Sequence, residues 1–157
     1  MIGERYDWLV KLIEDVAEAC ERIARTLRGD DQEEEALAEL EGQTDRMLRD
    51  SYDHTNLERV DARTAALILR PPGRARSYAA LLAAKADLLA ARGDQVESGR
   101  LAARALVLYL EAAALEPDLE RVEVEAIVAL VERDPPLVSS ERTTRLLEAL
   151  AQRSGGG

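Results

Sequence analysis

Apolar positions near the start of the chain recur at alternating intervals of four and three residues, the spacing of a helix that buries one long stripe. The stripe comprises Ile2, Tyr6, Leu9, Ile13, Val16, Cys20, Ile23 and Leu27. This pattern predicts a helix from about Glu4 to Arg28. Its outer face is too acidic to bind a membrane surface, so we expect the stripe to pack against protein.

The tripeptide Arg-Gly-Asp occurs twice, at residues 28–30 and 92–94. In both copies the glycine can close one helix in the left-handed conformation, and an aspartate can cap the next helix. In the second copy, Asp94 and Glu97 stand at the spacing of a capping box. The corresponding candidates in the first copy are Asp30, Asp31, Glu33 and Glu34. We therefore predict two turns between antiparallel helices rather than adhesion signals.

Capping signals and proline breaks divide the middle of the chain into further helices. A capping box of Thr55 and Glu58 predicts one helix, which ends before Pro71. Helices over about residues 75–92 and 95–115 flank the second Gly-Asp turn. The latter is apolar almost all round, as expected of a central buried helix.

Two more helices are expected in the C-terminal part. One begins near Pro117, and the other follows a cap at Ser139 or Ser140. No segment shows the alternation of a strand, so the sequence predicts an all-α, tetratricopeptide-like bundle of about seven antiparallel helices. We expect a single domain over residues 1–153, followed by a flexible tail (154–157). The domain comprises an N-terminal helical hairpin (1–50), central helices that include the tetratricopeptide-like pair (55–116) and a C-terminal helix pair (117–153).

Composition narrows the class of protein. The chain has 157 residues, of which 46% are hydrophobic and 3% aromatic, so it can bury a core of small aliphatic side chains. A formal net charge of −10 makes nucleic acid and anionic membranes poor partners. Residues 1–53 carry 16 acidic and 7 basic side chains, which could pack on the slightly basic middle of the chain or face a basic partner. No apolar run approaches the roughly 20 residues of a membrane span, and we expect a cytoplasmic location.

Residues 78–117 resemble a tetratricopeptide-type helix pair. The likeness is carried by Gly93-Asp94 between the helices, Ser98 five positions after the glycine, and Ala105-Leu106 seven further on. The second helix departs from the pattern, since Leu110 stands where a proline ends a true repeat. The two Gly-Asp turns are also 64 residues apart, instead of the roughly 34 of a regular array.

The whole arrangement resembles a family of small uncharacterised bacterial helical proteins. The likeness covers roughly residues 1–115 and is carried by YDWLVKLIE at residues 6–14, the turn before EEEAL at residues 33–37, and the tetratricopeptide-like pair. It implies a helical architecture. The family has no assigned activity, whereas tetratricopeptide folds in general bind peptides on a concave face.

Residues suited to catalysis or metal binding are scarce. A di-iron bundle needs Glu-x-x-His motifs from two helices, but the chain has a single histidine, His54, with Ser51 three positions before it. We interpret His54 as a polar loop residue ahead of a helix. Cys20 lies on the apolar stripe without a base beside it, and we interpret it as a small hydrophobe. We therefore expect no catalytic, metal-binding or cofactor-binding residues.

Two groups of residues are candidates for contact with a partner. The first is a surface on the N-terminal helix formed by Tyr6, Trp8, Leu9, Ile13 and Val16. Within it, Trp8 either packs beneath a neighbouring helix or serves as an exposed anchor. The second group is an arginine-rich loop, which either contacts an anion or an acidic partner or stays solvated. Its members are Arg70, Arg74 and Arg76.

These features favour a non-catalytic protein-interaction module, a small scaffold or adaptor that binds another protein, or a second copy in a homodimer, through helix faces. The alternative is a ligand- or metal-responsive sensor, or a small enzyme, with a pocket between helices. Arg104 separates the two hypotheses. It either reaches solvent or lies buried with a carboxylate such as Asp61 or Asp87, and the second arrangement would favour a pocket.

Overall fold

The computed structural model describes residues 2–29 and 32–155, with side chains from Asp7 onward. These residues form eight α-helices, one 3-10 helix and no strand, so the predicted all-α class is confirmed. The helices are α1 (Ile2–Arg28), α2 (Glu34–Tyr52), α3 (His54–Leu57), α4 (Ala62–Ile68), α5 (Pro72–Ala91), α6 (Gln95–Leu115), α7 (Val124–Val131) and α8 (Glu141–Gly155), and the 3-10 helix spans Leu119–Arg121. None of these helices is both long enough and apolar enough to cross a bilayer.

α5 and α6 pack together as a hairpin, whereas α1 and α2 each pack mainly on α5 and touch one another only slightly. α1 runs parallel to α5. The Ile13 side chain lies beside Gly73, and seven residues further along both helices the Cys20 thiol lies 3.6 Å from the carbonyl oxygen of Ala80. The apolar stripe of α1 therefore packs on α5, which covers most of it.

α2 lies against α5 in the opposite direction. Lys85 of α5 forms an ion pair of 2.7 Å with Asp45, and Arg92, just beyond α5, pairs with Glu34 and Glu41. Part of the acidic charge in the N-terminal third is thus neutralised by the basic middle of the chain. Because these pairs are partly exposed, they orient α2 more than they stabilise it.

α5 and α6 form the centre of the hydrophobic core. Their fully buried side chains include Tyr78, Leu81, Leu101 and Leu108. Alanines of both helices are also fully buried, and such small side chains permit the two backbones to approach closely. The prediction that residues 95–115 form the central buried helix is confirmed.

The turn between α5 and α6 has the predicted geometry. Gly93 adopts a left-handed conformation with φ of 92°, which a side chain would disfavour. The Asp94 carboxylate accepts a hydrogen bond of 3.2 Å from the backbone N–H of Glu97 and so caps α6. The Glu97 side chain binds Arg100, so the structure provides the forward bond of the capping box.

The first Gly-Asp turn is described only in part. The backbone N–H of Gly29 donates to the carbonyl of Arg25 and so ends α1 at the predicted glycine. The candidate caps Asp30 and Asp31 lie outside the described residues. α2 begins after Glu33, whose side chain makes no capping hydrogen bond.

The predicted helix that starts at a Thr55 capping box is wrong. The chain forms the short α3, breaks after Leu57, and begins α4 at Ala62. The Asp61 carboxylate accepts a hydrogen bond of 2.7 Å from the backbone N–H of Thr64, which starts a new helix inside the span predicted to be continuous.

The C-terminal prediction is right about the cap and wrong about the tail. The Ser140 hydroxyl accepts a hydrogen bond of 3.1 Å from the backbone N–H of Thr143, so it caps α8 as expected. However, Ser154 and Gly155 belong to α8 rather than to a tail, and residues 156–157 lie outside the described part. The helix expected near Pro117 is replaced by the 3-10 helix and α7.

Candidate interaction surface

A cleft of about 250 Å³ opens between α1 and α5. Small residues on both helices leave this space, although the larger side chains around them pack closely. α1 contributes Ile13, Val16, Ala17 and Cys20, α5 contributes Gly73, Arg76, Ser77 and Ala80, and Tyr109 and Glu123 complete the lining. The cleft is therefore mainly aliphatic, with a few polar groups.

Two polar groups of the cleft, Arg76 and Cys20, are already paired or held neutral. Arg76 forms an ion pair of 2.8 Å with Glu116, and both side chains are largely buried. Partial burial would raise the pKa of Glu116, but its hydrogen bonds with Arg76 and with the Asp118 backbone hold that pKa below the ordinary value. Burial, assisted by Asp87, raises the pKa of the Cys20 thiol to about 11. Cys20 is thus a protonated, unreactive thiol at neutral pH, in agreement with its interpretation as a small hydrophobe.

The predicted surface of the N-terminal helix divides into core and exposed parts. Val16 is fully buried in the main core, so it is closed to a partner. Leu9 and Ile13 are half-buried, and Ile13 also lines the cleft. The side chain of Tyr6 lies outside the described residues.

Trp8 is the exposed member of this surface. Its side chain is 56% exposed, and the Arg74 guanidinium lies 5.8 Å from the centre of its ring. This distance suits a cation–π contact, which orients the indole without covering it. Of the two alternatives raised by the sequence, packing beneath a neighbouring helix is wrong, because the side chain is exposed.

The three arginines of the predicted basic loop have different partners. Arg70 donates to the carbonyl of Leu67 at 2.9 Å, Arg74 lies over Trp8, and Arg76 pairs with Glu116. Residues 74 and 76 point to different sides of α5, so Arg76 is committed to the fold, whereas contact of Arg70 and Arg74 with an anion or an acidic partner stays a prediction.

Arg104 takes neither of the two positions considered from the sequence. Its guanidinium donates at 2.8 Å to the carbonyl oxygens of both Leu57 and Val60. The first carbonyl belongs to the last residue of α3 and the second to the segment after it, so the arginine holds the break between α3 and α4. It has no ion pair with Asp61 or Asp87 and serves the fold rather than a polar pocket.

His54 is the first residue of α3 and part of a partly buried hydrogen-bond network, so its interpretation as a loop residue is wrong. Its Nδ1 lies 2.5 Å from the Tyr78 hydroxyl and its Nε2 lies 3.2 Å from the Glu58 carboxylate. A carboxylate only accepts hydrogen bonds, so in the neutral ring Nε2 carries the proton and the Tyr78 hydroxyl donates to Nδ1. The network joins α3 to the centre of α5.

We expect acid to destabilise the protein through His54. Burial lowers its pKa, with Lys85 and Arg100 acting in the same direction and Glu58 and Asp45 opposing them. The unfolded chain therefore binds this proton more readily than the native protein. The free energy of unfolding should fall as pH decreases from about 7 to about 5, and His54→Gln should show a smaller fall.

Two measurements check this expectation. Urea unfolding at both pH values compares the two proteins, so that contributions of the carboxylates cancel. Because the chain has one histidine, its imidazole NMR signals report the native pKa without ambiguity. A titration midpoint above the ordinary value of about 6.5 would contradict the expected direction.

An exposed apolar row on α7 is absent from the sequence-based candidates. Val124, Val128 and Val131 lie outward, whereas Ile127 and Leu130 of the same helix are buried. The signal was available in the sequence, because residues 124–131 hold more apolar positions than one buried face requires. Only the packing of α7 on α6 decides which of them stay exposed.

Neither a metal site in the described residues nor a similar known protein gives further information about function. Within residues 2–29 and 32–155, no three His, Cys, Asp or Glu side chains are grouped so that they could hold a metal ion. No protein-family model, curated protein or solved structure matches the chain. Function must therefore be inferred from the geometry of the surface.

Proposed function

We propose that the chain is a non-catalytic protein-interaction module, a small scaffold or adaptor that binds a protein through exposed helix faces. The observation that carries this proposal is Trp8, a large aromatic side chain held over Arg74 at the surface. Tryptophan is enriched among the residues that contribute most to protein interfaces. Its ring is oriented before binding, which reduces the entropy lost when a partner covers it.

The packing of the long helices supports the same function. α1 and α2 precede α5 and α6 as two antiparallel pairs, and the first helices of the pairs run parallel. We infer a tetratricopeptide-like stack, in which first helices line a groove, with α3 and α4 as an insertion between the pairs. The insertion accounts for the 64-residue interval between the Gly-Asp turns. The cleft between α1 and α5 lies where such a groove would run.

The contents of the cleft favour a protein partner over a small substrate. Its volume of about 250 Å³ is below the roughly 300–1,000 Å³ of most small-molecule sites. Its arginine is neutralised by Glu116, and its thiol is protonated. An aliphatic groove beside an exposed tryptophan suits a helix or extended peptide better than it suits acid–base chemistry.

Self-association through α1 would use a smaller surface than the sequence indicates. Leu12, Val16 and Ile23 are buried within the protein, so a second copy could reach Trp8 and the half-buried Leu9. Light scattering on the whole chain distinguishes a monomer from a homodimer. A dimer that becomes a monomer on Trp8→Ala would identify the second copy as the partner.

The test of the proposed function compares wild type, Trp8→Ala and Val138→Ala. Val138 is an exposed apolar residue far along the chain and serves as the matched control. We expect both variants to keep the free energy of unfolding within about 1 kcal/mol of wild type. Affinity capture from cell extract, with quantitative identification of the bound proteins, should show partners that Trp8→Ala loses and Val138→Ala retains. If all three proteins captured the same partners in equal amounts and had the same solution mass by light scattering, the proposed role of Trp8 would be overturned.

A further inference from the structure

α7 carries an apolar row that the described part of the protein covers only in part. Val124, Val128 and Val131 occupy positions i, i+4 and i+7 and are 42%, 44% and 47% exposed. They form one stripe along the helix, about 10 Å long at 1.5 Å per residue. Such spacing is that of the anchors by which two helices pack together.

The neighbouring side of α7, about 100° around the helix from the valine row, is already used by the fold. Ile127 and Leu130 are buried in the main core, where α7 packs on α6. The valine row therefore borders the buried face and widens the apolar surface of α7 beyond what its packing on α6 covers.

Acidic side chains border the valine row. Glu125 and Glu132 are both exposed and stand seven residues apart, so they share one side of the row. Residues 122–132 contain three glutamates and no basic residue. Arginines flank this stretch on both sides, but Arg121 pairs with Asp118, and Arg133 donates to Ser98, which turns its guanidinium toward α6.

This charge pattern argues against a second copy as the occupant. When two copies of α7 pair antiparallel about a two-fold axis, the Glu125 and Glu132 edges of both copies meet on the same side. Each chain also brings a net charge of −10. Both effects oppose self-association and favour a partner of opposite charge.

We propose that α7 docks an amphipathic helix of another protein, whose apolar stripe is bordered by lysine or arginine. The stripe covers Val124, Val128 and Val131, and the basic edge meets Glu125 and Glu132. None of these five residues lines the α1–α5 cleft or contacts Trp8, although Glu123, the residue before α7, borders the cleft. The α7 site therefore goes beyond the proposed function, and either site can fail without the other.

The test uses a synthetic amphipathic helical peptide as the probe. It carries leucine at i, i+4 and i+7 with lysine on both borders, and a matched peptide has glutamate in place of every lysine. Fluorescence anisotropy of each labelled peptide is measured against the full chain at physiological salt. We expect the lysine peptide to bind at least tenfold more tightly than the glutamate peptide, and Val128→Asp to weaken it at least tenfold.

Two controls separate docking from general attraction to an acidic protein. The first control, Val96→Asp, changes an exposed valine outside α7. The second replaces Glu141 and Glu148 of α8 by lysine; these two glutamates are exposed and, like Glu125 and Glu132, stand seven residues apart. Both should leave binding of the lysine peptide unchanged, whereas Glu125→Lys with Glu132→Lys should shift the preference toward the glutamate peptide. Circular dichroism confirms that each variant is folded.

Four outcomes would overturn the proposal. They are equal binding of the two peptides, equal weakening by the α8 reversal and by the α7 reversal, unchanged binding by folded Val128→Asp, or a wild-type dimer that Val128→Asp converts to a monomer. The last outcome would assign the valine row to a second copy of the chain. Trp8→Ala should leave peptide binding intact, so failure at α7 remains distinguishable from failure of the proposed function.

Discussion

Replacing Leu108 by alanine should lower the free energy of unfolding by about 3 kcal/mol, within the 2–5 kcal/mol of buried leucine-to-alanine changes. Leu108 is 0% exposed and lies in α6, the central helix of the core. The lost apolar contacts account for part of the cost. The remainder arises because the surrounding helices are closely packed and cannot collapse fully into the cavity.

Leu115→Ala is the matched control for Leu108→Ala. Both leucines belong to α6, but Leu115 lies at its end and is 39% exposed. We expect this control to cost less than about 1 kcal/mol. Urea unfolding followed by circular dichroism measures both variants. The urea concentration at the midpoint should fall, whereas the slope of the unfolding free energy against urea concentration should stay constant. Similar losses for the two leucines would show that α6 is not the centre of the core.

Replacing Ser98 by valine should lower the free energy of unfolding by about 2–3 kcal/mol. Ser98 is fully buried, and its hydroxyl donates to the carbonyl of Ala86 at 2.5 Å and accepts from Arg133 at 2.5 Å. Valine leaves both partners without this bond and inserts a methyl group into a closely packed site. The loss should exceed that of an ordinary surface serine, because Ser98 joins α5, α6 and the segment after α7.

The neighbouring glycine provides an internal control for Ser98→Val. A side chain at Gly99 would meet nothing within 4 Å. Gly99→Ala should therefore raise the free energy of unfolding by about 0.5–1 kcal/mol, because alanine loses less backbone entropy in a helix. Adjacent substitutions should thus have opposite signs. If Ser98→Val matched wild type in urea unfolding, the Ser98 bonds would not contribute to stability.

Much of the local structure could be predicted because its causes lie within a few residues of one another. The left-handed Gly93 and the Asp94 cap act across a single turn, and both have the predicted roles. Apolar periodicity indicated the central helix because residues 95–115 are apolar on nearly every side. One exception lies between Thr55 and Pro71, where two capping signals stand close together. There Asp61 caps the helix that forms, and Arg104 binds the carbonyls that precede it.

The candidate surface was less predictable because exposure depends on distant partners. Val16 and Trp8 belong to the same predicted surface, yet α5 buries the valine and leaves the tryptophan exposed. The arginines at 74 and 76 look equivalent in sequence, but one lies over Trp8 and the other pairs with Glu116, 40 residues away. No local pattern carries that information.

The sequence by itself determined that this protein is helical, where α1 ends, where α5 gives way to α6, and which helix is central. Those properties follow from backbone hydrogen bonding, capping and periodicity, which act over one or two turns. The tertiary structure alone decided which apolar faces are covered and which charges are paired. Both depend on how the other helices pack against α5 and α6. Trp8 and the valine row of α7 are apolar groups that this packing leaves exposed.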